Sequence, residues 1–539
     1  MRRGSRTHEI RALLMTFAVA GALTLAGCGV RASQDDAGTL NFLIESAPVN
    51  LDPRFAGDAQ SQAFDGLIFS SLVAHDSEMN IVPDLAASWE TPDPLTYVFH
   101  LRNGVKFQDG RALTATDVKY TFDSILNGIP AAGGVVRSPK HGSFSTITSV
   151  DAPDAATVVF RLRQPHAAFL WEMARPAVGI VPQGAGIEVK RQPVGTGPFR
   201  LVSMTQDEEL VLERNPNYFG AATDDIAAAA GGAEGGGKLA QRIRFRVVPE
   251  AIVRALELRK GSADIGGVNS LPSDTVLALK DKAGLVVEDD PGTSFTYIAF
   301  NFDDPILAHR EVRQALAYAT DRPSIVRYLL RGQARLATTP LPPNHWAFDP
   351  TAKQYGYDPA RAEQLLEAAG FRRGPDGVRL HLALKSSTEE YTRLLTEALA
   401  DQWKRVGIAL ELRPLETGTL LSDVTHGSFQ LYTLRWLGAN NDPSFFDFVF
   451  SSAKMPPEGA NRGHYSNPRV DALIAQQNVE MDRARQKVLA GQIQQIVAED
   501  EPYLDLWFND TVCVHSARVT GVRLSPTGDY SFLENVRLR

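Results

Sequence analysis

The stretch Ile81-Val82-Pro83-Asp84-Leu85-Ala86-Ala87-Ser88-Trp89-Glu90, with the residues after it as far as Val118, carries the most information about this chain. It runs on through Tyr97-Val98-Phe99-His100-Leu101-Arg102-Asn103-Gly104-Val105-Lys106-Phe107 and Asp109-Gly110 to Thr114-Ala115-Thr116-Asp117-Val118. Tyr97, Phe99 and Leu101 alternate as in a strand with one buried face. Asn103-Gly104 and Asp109-Gly110 are turn pairs, and Trp89 and Phe107 are large apolar groups suited to packing a small sheet. Thr114 and Asp117 have the spacing of a capping box, and Val118, Phe122 and Ile125 share one face of the helix it would start. Strand, tight turn and capped helix in quick succession predict mixed α/β structure.

Outward from this stretch the mixture continues. Thr39-Leu40-Asn41-Phe42-Leu43-Ile44 reads as a strand stopped by Pro48 and Pro53. Asp358 and Pro359 start a helix whose Leu365, Leu366 and Ala369 precede a stop at Gly370, and Leu489, Ile493, Ile496 and Val497 form another apolar stripe. No repeat period appears, which favours an α/β architecture of several lobes over a solenoid or an all-β design. Asp224 to Lys238, four consecutive alanines and then clustered glycines, predicts a mobile surface loop.

At the amino terminus, Arg2, Arg3, Arg6 and Arg11 precede the apolar run Ala12 to Leu25, which is short for a bilayer span and closes on Leu25-Ala26-Gly27-Cys28. Residues 1–27 resemble a bacterial lipoprotein signal, the alternative being an ordinary cleaved signal with a chance cysteine. The resemblance implies a mature chain beginning at Cys28 and lipidated there. That would anchor it to a cell membrane, facing the periplasm or the cell exterior, with residues 28–37 as a polar tether. Removing residues 1–27 moves the formal net charge from -8 to -11, which argues against nucleic acid or anionic lipid as a bulk-charge partner. The remaining 512 residues call for two or three lobes. With Cys28 lipidated, Cys513 has no disulfide partner, and Thr511-Val512-Cys513-Val514 reads as a strand burying a small hydrophobe.

Motifs for chemistry are thin. Gly232 to Lys238 matches the first seven positions of a phosphate-binding loop, but Leu239 stands where a hydroxyl should hold magnesium. In Gly195-Thr196-Gly197-Pro198 the third glycine of a dinucleotide fingerprint is missing and Pro198 lacks an N–H. No paired-histidine zinc helix, Gly-x-Ser-x-Gly elbow or cysteine pair at metal spacing occurs, and His309, His345, His426, His464 and His515 lie far apart in the chain. No catalytic residue, metal or cofactor is expected. A glycosidase-type carboxylate pair, which meets only in space, keeps a secreted hydrolase as the enzymatic alternative.

The opening stretch resembles the signature of the family 5 extracellular solute-binding proteins, the peptide, nickel and oligopeptide receptors of ATP-binding-cassette importers. Further matches come in order: Pro193-Val194-Gly195-Thr196-Gly197-Pro198-Phe199, Asn215-Pro216-Asn217-Tyr218-Phe219, Val312-Arg313-Gln314-Ala315-Leu316 with Asp321-Arg322, and Tyr465-Ser466-Asn467-Pro468 with Asp471. They cover nearly all of the mature chain. The resemblance implies a periplasmic-binding-protein type II fold, two α/β lobes closing on a cleft plus an extra small domain. Domain I would occupy 38–74, 193–292 and 505–539, domain II 75–192, and domain III 293–504. The interlobe crossings would lie near Thr293 to Phe300 and Tyr503 to Phe508. It further implies a monomeric, non-enzymatic receptor handing a small solute, peptide first, to membrane permease subunits. The alternatives are a receptor for an anionic or metal-chelate solute, and a sensor or scaffold without a transport partner.

In peptide-binding relatives an extended ligand runs between backbone matching Glu45, Ser46 and Ala47 and the segment Arg435-Trp436-Leu437-Gly438. That segment continues Ala439-Asn440-Asn441-Asp442-Pro443. The resemblance puts an amine-capturing aspartate where this chain has Ala439. Losing one acid of a buried ion pair costs about 2–5 kcal/mol, so either Asp442 or Glu45 substitutes or the ligand lacks a free α-amine. The Arg435 guanidinium suits a carboxylate or phosphate, or else a structural salt bridge. Asp442 before Pro443 also reads as a turn or helix cap. Phe295, Tyr297, Trp346, Trp436 and Trp507 are candidate pocket aromatics, each also readable as core.

Overall fold

The computed structural model describes residues 38–76, 79–174, 178–220, 237–438 and 442–539. The leader and tether expected from the sequence, with Cys28, most of the low-complexity stretch with its phosphate-loop match, and Ala439, Asn440 and Asn441 lie outside the described residues.

In the first lobe the strand Thr39–Ile44 lies between Arg242–Val247 and Ile265–Val268 and runs parallel to both. A hairpin, Phe199–Thr205 with Glu209–Arg214, extends this side of the sheet. Phe42 and Phe245 meet with ring centroids 5.1 Å apart beneath the helix Ala59–Ile68, whose Phe64 reaches Phe245 at 4.7 Å. Asp58 caps that helix by accepting from the Ser61 N–H.

The opening stretch builds a separate, small body. Ala86–Asp93, Thr96–Leu101, Thr157–Leu162 and Ile147–Asp151 form a four-stranded antiparallel sheet in that spatial order. Tyr97, Phe99 and Leu101 are buried with Phe107, Val118, Phe122, Ile125 and Phe160, as their spacing predicts, while Trp89 is only partly covered. The helix Ala115–Asn127 starts in the expected capping box, with the Thr114 N–H donating to Asp117 at 2.8 Å. Gly195 and Gly197 bring the chain back against the first lobe. A Cβ at Gly195 would sit 2.1 Å from the Ile68 carbonyl oxygen, which accepts from the Gly197 N–H at 2.9 Å. This backbone approach accounts for the glycine pair.

The second lobe carries three parallel strands, Leu380–Ser387, Ile408–Leu415 and Leu431–Trp436. The helix Pro359–Ala368 is capped by Asp358, which accepts from the Arg361 N–H, and Gly370 follows at φ +89°. Leu395, Leu399 and Trp403 of the helix Glu390–Arg405 are buried, and the Trp403 indole donates to Thr320 at 2.9 Å. The predicted stripe lies on the helix Arg483–Asp500, with Ile493 and Val497 buried and Leu489 and Ile496 partly so.

Two long antiparallel strands, Leu285–Phe300 and Tyr503–Ser516, join the lobes into one eleven-stranded sheet. Along the outer edge of Tyr503–Ser516 the partner changes. Ile265–Val268 of the first lobe pairs at His515 and Cys513, and Ala334–Leu336 of the second lobe pairs at Asn509, Phe508 and Trp507. Opposite this change, the register slips between Asp290 and Ser294. Phe508 and the apolar residues before it pack in the cores of the second lobe, whereas Cys513 and Val514 pack in those of the first. The handover therefore lies at Asp290–Ser294 and Asn509–Val512, nearer the first lobe than the stretches expected from the sequence. An unbroken strand pattern hides the point at which pairing partners change.

Candidate functional site: the interlobe cleft

Strand direction places the site. Thr39–Ile44, Arg242–Val247 and Ile265–Val268 are mutually parallel, so Glu45, Val248 and Asn269 leave the sheet on one side. Ile265–Val268 runs against Tyr503–Ser516, toward that strand's amino-terminal half in the second lobe. Leu431–Trp436 runs against Leu285–Phe300, back toward the first lobe, and Leu380–Ser387 and Ile408–Leu415 run with it. Two sets of strand carboxyl ends thus face one another across the handover, the place where open α/β sheets hold ligands.

On the first-lobe wall Glu45 is 70% exposed at its side chain, Ser46 is exposed and Ala47 is buried. Buried Arg254 ties the strand ends together. Its Nη1 donates to the Val248 and Pro249 carbonyls at 2.6 Å, its Nη2 reaches the Ser270 carbonyl, and Glu45 lies 4.0 Å away. Asn269, at φ +53°, donates its N–H to the Val512 carbonyl at 2.8 Å and accepts the Val512 N–H at 2.7 Å. That pair fixes the wall to the handover.

On the second-lobe wall Arg435 is 44% exposed, and its Nη2 lies 3.9 Å from Glu389, which is 61% exposed just before the helix Glu390–Arg405. An ion pair that long and that wet contributes little to stability, so both groups stay open to a ligand. Leu437 is exposed and Gly438 has φ +73°. The Trp436 ring is partly buried, stacked on Tyr297 at 6.1 Å, with the Arg462 guanidinium 5.4 Å from its centroid. Asp442 accepts from the Ser444 N–H at 2.8 Å, the bond of a turn. Ala439 and Asn440 are not described.

Three expected pocket aromatics are instead interior. Phe295, Tyr297 and Trp507 lie on the joining strands, are at most 1% exposed, and pack into the second lobe's cores. The two strands are covered on both faces there, so alternation turns neither set of side chains to the cleft. Trp346 is partly buried, with the Arg483 guanidinium 4.7 Å over its ring. Sequence reasoning missed Glu389, Arg254 and Asn269. Nothing in the local pattern marks a lone acid, a buried arginine or a left-handed asparagine as wall residues.

At the handover Arg335 bonds Asp510 at 2.8 Å. Burial pushes the Asp510 carboxyl up to about 6, against the pull of Arg335 and with the push of Asp289 and Asp290. A cavity of about 440 Å³ lies away from these walls, between the carboxyl-terminal segment and the small body, lined in part by Ser71, Asp84, Tyr218 and Glu534. Burial lifts Glu534 to about 7 and Asp84 to about 6. Among the described residues, no three His, Cys, Asp or Glu side chains are grouped to hold a metal ion.

Comparison with known proteins agrees with this architecture. The chain is 27% identical to Di/tripeptide-binding protein 1 of Pseudomonas aeruginosa, over 98% of this chain and 99% of that protein. It is 28% identical to the glutathione-binding protein GsiB of Pectobacterium atrosepticum, over 91% and 92%. The structure of the ABC transporter substrate-binding protein CtaP from Listeria monocytogenes superposes with a TM-score of 0.79 at 23% identity, covering 93% of this chain and 99% of that one. The fold is that of the type II periplasmic binding proteins. Residues 80–456 match the profile of the bacterial extracellular solute-binding proteins, family 5 Middle, and the chain belongs to that family.

Proposed function

We propose that this protein is a lipid-anchored receptor that takes a short peptide into the interlobe cleft, closes over it and presents it to the permease of an ATP-binding-cassette importer. The observation that carries the reading is the facing of two sets of strand carboxyl ends, one bearing Glu45 and the other Arg435 and Glu389. A cleft that holds an extended peptide through its backbone binds it regardless of side chain, which suits a receptor for short peptides. The relatives named for di- and tripeptides and for glutathione support that ligand class. Arg435 takes the ligand carboxylate, and Glu389 or Glu45 supplies the acid that Ala439 does not. The crossings at Asp290–Ser294 and Asn509–Val512 serve as the hinge.

Calorimetry with a free tripeptide and its carboxyl-terminal amide tests this assignment. Arg435→Ala should weaken the free tripeptide about tenfold, as for one charge-assisted hydrogen bond, and leave the amide unaffected. Equal loss for both would remove Arg435 from carboxylate recognition. A second reading, an anionic solute without an α-amine, is favoured by the sequence, which has Ala439 in place of an acid and a guanidinium at Arg435. It requires N-acetylated and free peptides to bind alike.

A further inference from the structure

The small body and the second lobe also touch away from the joining strands. Arg483 Nη2 donates to Asn80 Oδ1 at 2.8 Å, and the Ala167 N–H donates to the Asn478 carbonyl at 3.0 Å. Asn80 and Ala167 flank elements of the small body, whose sheet is separate from the eleven-stranded one. Asn478 lies at the end of the helix Pro468–Val479, and Arg483 starts the helix Arg483–Asp500, both packed in the second lobe.

We propose that this contact is a closure latch, made when the lobes come together and broken when they part, and that it sets the resting balance between the two states. The proposal rests on the reading that the lobes close. Covalently, the small body reaches the second lobe only by way of the first, so rotation at the joining strands displaces Asn478 and Arg483 relative to Ala167 and Asn80. Hydrogen bonds of this length do not survive such a displacement.

Both sides are set in advance. Asp76 accepts from the Asn80 backbone N–H at 2.9 Å and from its Nδ2 at 3.1 Å, which leaves Oδ1 as the atom offered to Arg483. Arg483 lies over the face of Trp346, so its guanidinium is held before the contact forms and loses little freedom on forming it. Trp346 then acts as the platform of the latch and not as a ligand contact. Arg483 is exposed, and an exposed contact of this kind biases an equilibrium without locking it.

Nitroxide labels at Asp151→Cys in the small body and Glu397→Cys in the second lobe report the distance between them, in the mature chain with Cys28→Ser and without ligand. Both positions are exposed, and Cys513 is buried beyond the label's reach. Arg483→Ala should lower the ratio of short to long distances roughly three- to tenfold, the effect of one hydrogen bond to a charged group diluted by exposure. Asn80→Ala should do the same, and the double variant should be no more open than either one. Unchanged distributions in both single variants, or additive effects in the double, would overturn the latch. No ligand is used, so failure to bind peptide would sink the functional reading and leave this result standing.

Discussion

Asp65 lies in the helix Ala59–Ile68 with no exposed surface and with neither carboxylate oxygen hydrogen-bonded. Burial holds its carboxyl well above the usual range against the pull of Lys140, with Asp52 and Asp58 pushing the same way as burial. Asp65→Leu should raise stability by about 1–3 kcal/mol, the usual penalty of a buried unsatisfied group, measured by urea unfolding at neutral pH. Asp505 carries a pH dependence. Its Oδ1 is buried without a partner, and burial lifts the carboxyl to about 7 in spite of Arg322. A carboxyl with a raised folded-state pKa favours the folded state most fully below its unfolded value, and that contribution is lost as pH climbs to the folded value. Relative to wild type, Asp505→Asn should therefore gain stability progressively between about pH 4 and pH 7, by up to roughly 4 kcal/mol, and by no more beyond it. A difference that stays flat across this range would contradict the assignment. Neither acid was legible in the sequence, because a single carboxylate among apolar neighbours looks the same whether it faces water or the core.

Elements were readable where their signals are local. The Thr114–Asp117 box, the Asp358-Pro359 start and the alternation at Tyr97, Phe99 and Leu101 each need only residues within a turn or two, and each element forms where its signal lies. The joining strands were read less well. Phe295, Tyr297 and Trp507 looked like pocket aromatics because a strand covered on both faces by distant parts of the chain shows no polar side in sequence. Gly292 sits at the handover, where a Cβ would come within 2.2 Å of the Asn509 carbonyl oxygen. Gly292→Ala should force the two strands apart and destabilise the protein by about 1–3 kcal/mol, read as a lowered Tm. An unchanged Tm would show that the strands there have room to move.

At the scale of the whole molecule, family and lobe architecture were legible because several long motifs recur in one order, and the matching family profile spans residues 80–456. Ligand identity was not, since cleft specificity depends on a few wall side chains that meet only after folding. Arg435 stood out in the sequence, yet its neighbour Glu389 comes from a different strand end and became visible only in three dimensions. Native mass spectrometry of residues 28–539, with Cys28 replaced and purified from bacterial periplasm, tests the central claim most directly. Capture of a peptide in a cleft predicts a one-to-one adduct whose released mass is that of a short peptide, lost or weakened in Arg435→Ala. A discrete non-peptide adduct, or binding indifferent to Arg435 and to peptide termini, would contradict it.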